Sequence, residues 1–198
     1  MPKMLAATKQ EQEPIFTKGV HEALRFAFNF QHGNVKEPPV SILQGDSKTG
    51  RGLGGIDGAA QAGMILAEVG QMAEERQAIL AGRFTDQAIP CPCERPCCVG
   101  YTDNPKWAAA VEVLVDYILT NSGGSRISHY HLRRASVLRY FGVRRSFREV
   151  AAQCKVKPDT ASAHHNLAVQ CLSGLEKIAR YEIEDRLRKA GVIPDWKL

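Results

Sequence analysis

The sequence predicts an all-α protein, a helical bundle with a basic C-terminal helical unit and a cysteine-rich insertion. Three observations point there. Apolar residues recur at i, i+3 and i+4 in every long segment, no segment alternates apolar and polar residues with the strand period, and the breaks fall at clusters of Gly, Pro and Asn. With 198 residues, 44% hydrophobic and 24% charged, the chain has the composition of a globular protein able to bury a core without disulfides.

From Ile15 to Gln31, Phe16, Val20, Leu24, Ala27 and Phe28 share one side of a helix while Lys18, Glu22 and Arg25 turn elsewhere. His32 to Gly58 holds seven glycines along with Pro38 and Pro39, and reads as a long loop. Asp57 is placed to cap a helix running to about Gly82, with Ile65, Val69, Met72 and Leu80 on its inner stripe. After the cysteines, Asn104-Pro105 is a cap followed by proline at the first helical position, and Trp107, Ala110, Val111, Leu114 and Ile118 continue that helix. It stops at Asn121-Ser122-Gly123-Gly124, the expected boundary between an N-terminal part, residues 1–121, and a C-terminal part, residues 122–198. Ser128 opens a basic helix with Leu132, Ala135, Leu138 and Phe141 facing inward and Gly142 ending it. Ser146-Phe147-Arg148-Glu149 has the form of a capping box and starts a short helix to Cys154. Val156-Lys157-Pro158 then interrupts, and a last helix runs from Pro158 to about Ala190 with Ala161, Ala168, Leu172, Leu175 and Ala179 on one side.

The net charge of +5 is unevenly distributed: residues 1–120 carry 11 basic against 14 acidic side chains, residues 121–198 carry 15 against 7. Between Arg126 and Lys157 nine basic residues face the single acid Glu149. Such a block suits a polyanion, because each neutralised phosphate releases counterions. No run reaches the roughly 18–20 apolar residues of a membrane helix, and Met1 to Pro14 lacks the apolar core of a signal peptide. The expected location is therefore the cytoplasm, without a membrane partner, where six cysteines are thiols or metal ligands.

A short capped helix, a tight turn and a second helix with small polar residues in its first turns form the layout of a helix-turn-helix, whose second helix fits the major groove of duplex DNA. Glu149 to Thr160 has that layout. Val150 and Ala151 are expected to pack inward and Val156 to plug the turn. Asp159, Thr160, Ser162, Ala163, His164 and Asn166 then lie on the outward side, with Asn166 able to read adenine, Thr160 and Ser162 to touch phosphate or base edges, and Ala163 to meet a thymine methyl. Arg133, Arg134, Arg144, Arg145, Arg148, Lys155 and Lys157 are the expected phosphate contacts.

The core Arg148-Glu149-Val150-Ala151, followed by a helix led by Thr160, resembles the helix-turn-helix of sigma-factor region 4, which reads the -35 promoter element. The stretch from Leu138 to Ala151 is also similar to the C-terminal half of phage late-gene antitermination proteins of the Q type. The resemblance covers Leu132 to Ile178. It implies a sequence-specific double-stranded DNA-binding transcription regulator, most specifically an antiterminator that acts with RNA polymerase or a sigma factor in a bacterial or phage-infected host. Where that pattern usually has glycine in the turn, this chain has Lys155, so a positive backbone φ is expected at a residue with a side chain. The rival expectation is an interaction adaptor whose basic block meets an acidic protein without touching DNA.

Cys91-Pro92-Cys93-Glu94-Arg95-Pro96-Cys97-Cys98 puts four thiols in eight residues. Zn²⁺ held by Cys91, Cys93, Cys97 and Cys98 would cross-link a segment too short to form a core, in a closed structural site. Reduced thiols and redox chemistry remain alternatives, and adjacent Cys97 and Cys98 leave room for a ligand from His129, His131 or Cys154. The phage family includes members with zinc-binding cysteine insertions between helices, with different spacing. A zinc-dependent nuclease would need an open metal position. No nucleophile–base–orienter set is present, and Gly45-Asp46-Ser47-Lys48-Thr49 lacks the glycine spacing of a phosphate loop, so no enzyme is expected.

Overall fold

Seven helices and one two-stranded ribbon succeed one another in the computed structural model, which describes residues 15–33, 55–93, 95, 99–121 and 127–195. They are α1 (Val20–Gly33), α2 (Gly55–Gly70), α3 (Glu74–Phe84), β1 (Ala88–Pro90), β2 (Tyr101–Asp103), α4 (Pro105–Asn121), α5 (Tyr130–Tyr140), α6 (Phe147–Gln153) and α7 (Pro158–Lys189). The mostly helical architecture agrees with the expected all-α class. No helix among the described residues is long and apolar enough to cross a membrane. Most of the glycine-rich stretch, 34–54, and the break at 122–124 lie outside the described residues.

Local chemistry explains where the elements depart from expectation. The single helix expected between Asp57 and Gly82 is two. Ala73 is extended (φ -60°, ψ 146°), and the Gln77 amide donates to the carbonyls of Gly70 and Met72, which the break leaves without helical partners. Glu74 and Glu75 then occupy the first turn of α3, where negative charge complements the helix dipole. The β1–β2 ribbon was not expected, because strands of three residues beside prolines give no alternation to read. It pairs Ala88 with Asp103 and Pro90 with Tyr101, and Cys91 N–H to the Gly100 carbonyl (2.9 Å) closes its tip. Asn104 behaves as the sequence predicts: its Oδ1 accepts from Lys106 N–H at 3.1 Å while its amide group donates to the Asp86 carbonyl.

The main core takes side chains from both sides of the 122–124 break. Leu24, Ile65, Ile79, Leu80 and Leu114 are wholly buried with Leu172, Ile183 and Leu187 of α7. Helix α7 is therefore the spine of the bundle as well as its last element. A partly buried ion pair fixes α7 against α3 and α5: Arg83 meets Glu176 with Nη2–Oε2 at 2.7 Å, and the Tyr140 hydroxyl donates to the same carboxylate at 2.6 Å. Burial pushes the Glu176 carboxyl up, but these donors outweigh it and hold it below its ordinary value; burial and the carboxylate push Tyr140 up to about 12.

A second, smaller cluster joins Leu132 and Ala135 of α5 to Val150, Ala151 and Cys154 near α6 and Ala161 of α7, with Phe147 and Val156 packed on it. Ala151 and Ala161 are 1% and 0% exposed, and side chains this small let the helices approach closely. The turn between α6 and α7 is closed by Lys155 N–H to the Ala152 carbonyl and Val156 N–H to the Ala151 carbonyl, the Schellman arrangement. Lys155 has φ +54° there, as its place in the turn requires. One local expectation fails. Ser146 precedes α6 in extended conformation but makes no side-chain cap bond, so the capping box does not form; its carbonyl accepts from Val150 N–H instead. Replacing Lys155 by glycine removes a left-handed-region penalty of roughly 1–2 kcal/mol, partly offset by unfolded-chain entropy. Lys155→Gly should therefore raise the urea midpoint, by about 0.5–1 kcal/mol of stability.

Candidate nucleic-acid interface

The second cluster buries one side of the start of α7 and leaves the other bare. Ala161 and Ala168 are fully buried, whereas Asp159, Thr160, Ala163 and Asn166 are exposed; Ser162 and His164 are half-buried between the two sides. The outward rim expected from the sequence is thus open rather than covered by the molecule's own apolar residues.

The cations beside this rim come from two loops and the first turn of α6. Arg144 and Arg145 lie in the connection between α5 and α6, Arg148 in the first turn of α6, and Lys155 and Lys157 in the turn before α7; all five are exposed. Arg139 organises the first loop. Its guanidinium lies over the Phe147 ring, 4.2 Å from the centroid, and donates to the Arg145 carbonyl, fixing the path of the chain through Arg144 and Arg145. Sequence reasoning counted Arg139 only as charge; its spacing from Phe147 across a short loop was the available signal.

Two expected phosphate contacts are engaged elsewhere. Arg133 is 4% exposed, and its guanidinium donates to the carbonyls of Val115 (3.1 Å), Ile127 (2.9 Å) and Ser128 (2.6 Å), so it secures the chain entering α5 and cannot reach a duplex. The amphipathic reading failed there because a buried arginine and a surface arginine look alike in sequence. Arg134 faces α4, where it pairs with Glu112 at 2.9 Å. Burial raises the Glu112 carboxyl, but the Tyr130 hydroxyl and Arg134 outweigh it and hold it below its ordinary value.

Ion pairing separates the two ends of the C-terminal part. Arg180, Arg186, Arg188 and Lys189 at the far end of α7 all pair with acids, among them Glu176, Glu182, Glu184 and Asp185. Arg144, Arg145, Arg148, Lys155 and Lys157 take no part in an ion pair among the described residues. The uncompensated positive field therefore concentrates beside the start of α7.

Cys91 and Cys93 lie at the tip of the β1–β2 ribbon. Cys91 and Cys93 bring their sulfurs within 3.2 Å; Cys97 and Cys98 lie outside the described residues. Among the described residues no group of three His, Cys, Asp or Glu side chains is placed to hold a metal. Cys154 is buried in the second cluster, where burial pushes its thiol up, so it is no ligand for the ribbon tip. His129 and His131 are exposed at the start of α5.

Among known proteins, the chain matches no family model, no curated protein and no solved structure.

His165 sits behind the rim, its ring 5.1 Å from that of Phe147 and its Nδ1 buried without a hydrogen-bond partner among the described residues. Burial and the Arg139 charge lower its pKa below the ordinary imidazole value. Protonation therefore favours the unfolded chain: this contribution to stability is full above about pH 6.5, the unfolded value, and is lost as the pH falls from there through the lower folded value. In urea titrations, His165→Leu should show a smaller loss of stability than wild type between pH 7.5 and about pH 5.5; equal losses would show that His165 does not titrate in this setting.

Proposed function

We propose that this chain is a double-stranded DNA-binding transcription regulator in which α6, the Lys155 turn and the start of α7 act as a helix-turn-helix. The observation that carries this reading is the bare first turns of α7 flanked by five exposed cations that have no ion-pair partner among the described residues. A groove-reading helix needs an uncovered face, and the phosphates on either side of the groove need cations free of internal carboxylates. Arg144, Arg145, Arg148, Lys155 and Lys157 hold phosphates, while Thr160, Ser162, Ala163, His164 and Asn166 line or border the reading face. Arg133 and Arg134 drop out of that set and support the scaffold.

The most specific form of the proposal is an antiterminator acting with RNA polymerase. It rests on the likeness of Leu138 to Ala151 to the Q-type proteins, and a terminator read-through assay on a paused polymerase tests it. The reading also includes one structural Zn²⁺ held by Cys91, Cys93, Cys97 and Cys98. Its support is the close approach of the Cys91 and Cys93 sulfurs at the tip of a ribbon none of whose described residues is buried. Four sulfur donors leave no position for a reacting water, which suits structure rather than hydrolysis.

Gel-shift titrations over a salt series test DNA binding. Affinity for random duplex should fall steeply with salt, and Arg144→Ala with Arg145→Ala should weaken binding on all sequences alike while making the log–log salt slope shallower by about 2. A flat salt response, with tight binding to an acidic protein instead, would contradict the proposal. Elemental analysis of the purified protein should find one zinc per chain, lost in Cys91→Ser with Cys93→Ser; a metal-free wild-type chain would remove the zinc from the account.

A further inference from the structure

The geometry points to a specificity for this surface: we propose that the outward stripe of α7 selects A·T base pairs, through a read-out that has no guanine contact. The inference rests on the DNA-binding reading above and concerns which duplexes it favours.

Asp159, Ala163, Asn166 and Gln170 stand at steps of four, three and four residues, so a helix of 3.6 residues per turn lines them up in one row. All four are exposed, and the row lies opposite the buried Ala161, Ala168 and Leu172. The chemistry of the row is unusual for a basic protein, because residues 158–170 contain no Lys or Arg. Guanine is read in the major groove through its O6 and N7 acceptors, most often by an arginine or lysine. Adenine offers an acceptor at N7 beside a donor at N6, which the carboxamides of Asn166 and Gln170 match with one donor and one acceptor each. The Ala163 methyl group is suited to the thymine methyl, the apolar feature of an A·T pair. Asp159, at the start of the row, only accepts hydrogen bonds when ionised, so it favours the amino edges of adenine and cytosine and is repelled by guanine O6 and N7.

The position of the cations completes the argument. Lys155 and Lys157 precede the helix, and Arg144, Arg145 and Arg148 lie in and after the neighbouring loop, so positive charge flanks the row instead of entering it. That division assigns affinity to the phosphates and discrimination to neutral or acidic side chains, with A·T pairs meeting Ala163, Asn166 and Gln170.

Selection by the full chain from a random duplex library, at a salt concentration that suppresses non-specific binding, tests this. The expected result is an enriched site with an A·T-rich centre. Asn166→Ala should bind the enriched duplex about 5- to 150-fold more weakly, as loss of one bidentate base contact predicts, and bind random duplex as wild type does. Replacing the contacted adenine by 7-deazaadenine should weaken wild-type binding and leave Asn166→Ala unaffected. Enrichment of a site whose strongest positions are G·C, or equal weakening of enriched and random duplex by Asn166→Ala, would overturn the inference. Salt-sensitive binding to random duplex with no sequence enriched would overturn it while leaving DNA binding standing; failure to bind any duplex would remove both.

Discussion

The seating of Ala161 against α6 is the constraint on which the rest of this molecule depends. Ala151 and Ala161 are almost wholly buried where α6 meets α7, and Leu132 and Ala135 of α5 close the same small cluster. A larger side chain at Ala151, 1% exposed in this cluster, would push the helices apart, because packed interiors have little spare volume. With the inner side of α7 occupied in this way, its outer side is left for solvent or for a partner. The Lys155 turn belongs to the same constraint: only a tight reversal between Cys154 and Pro158 lets two helices joined by so few residues share one apolar cluster.

Helix α7 carries this local geometry into the whole bundle. Its first turns belong to the small cluster and its later turns to the main core, and there is no break between them. The Arg83–Glu176–Tyr140 contact clamps the middle of the helix to α3 and α5. The same helix sorts charge along its length. Arg180, Arg186, Arg188 and Lys189 near its end are matched by acids one turn away or on neighbouring helices, whereas the cations next to its first turn have no carboxylate partner among the described residues. Net charge understates such an arrangement, since compensation in one place and its absence in another set the local field.

Much of this was legible in the sequence because the relevant signals are periodic or local. Ala161, Ala168, Leu172, Leu175 and Ala179 mark the inner side of α7, Asn104-Pro105 marks the start of α4, and the place of Lys155 in the turn implies its positive φ. What escaped depends on partners distant in sequence or on very short elements. Arg133 reads as surface charge until the carbonyls of Val115 and Ile127 are seen beside it, and the Gln77 bonds that stabilise the break before α3 have no periodic trace. The ribbon whose tip carries Cys91 and Cys93 is too short for alternation to appear. At the rim, Thr160, Ala163 and Asn166 were recognisable from the layout, and Gln170 was not singled out although the helix expected from Pro158 to about Ala190 already carries it one turn beyond Asn166.

The most direct measurement of the central claim is an amide-resolved NMR titration of the full chain with a short duplex. The account predicts shifts concentrated at Arg144–Arg148 and Lys155–Gln170, with α1 and α2 unmoved. Saturable binding whose largest shifts fall on α1, α2 or the distal turns of α7, with the rim unmoved, would contradict it.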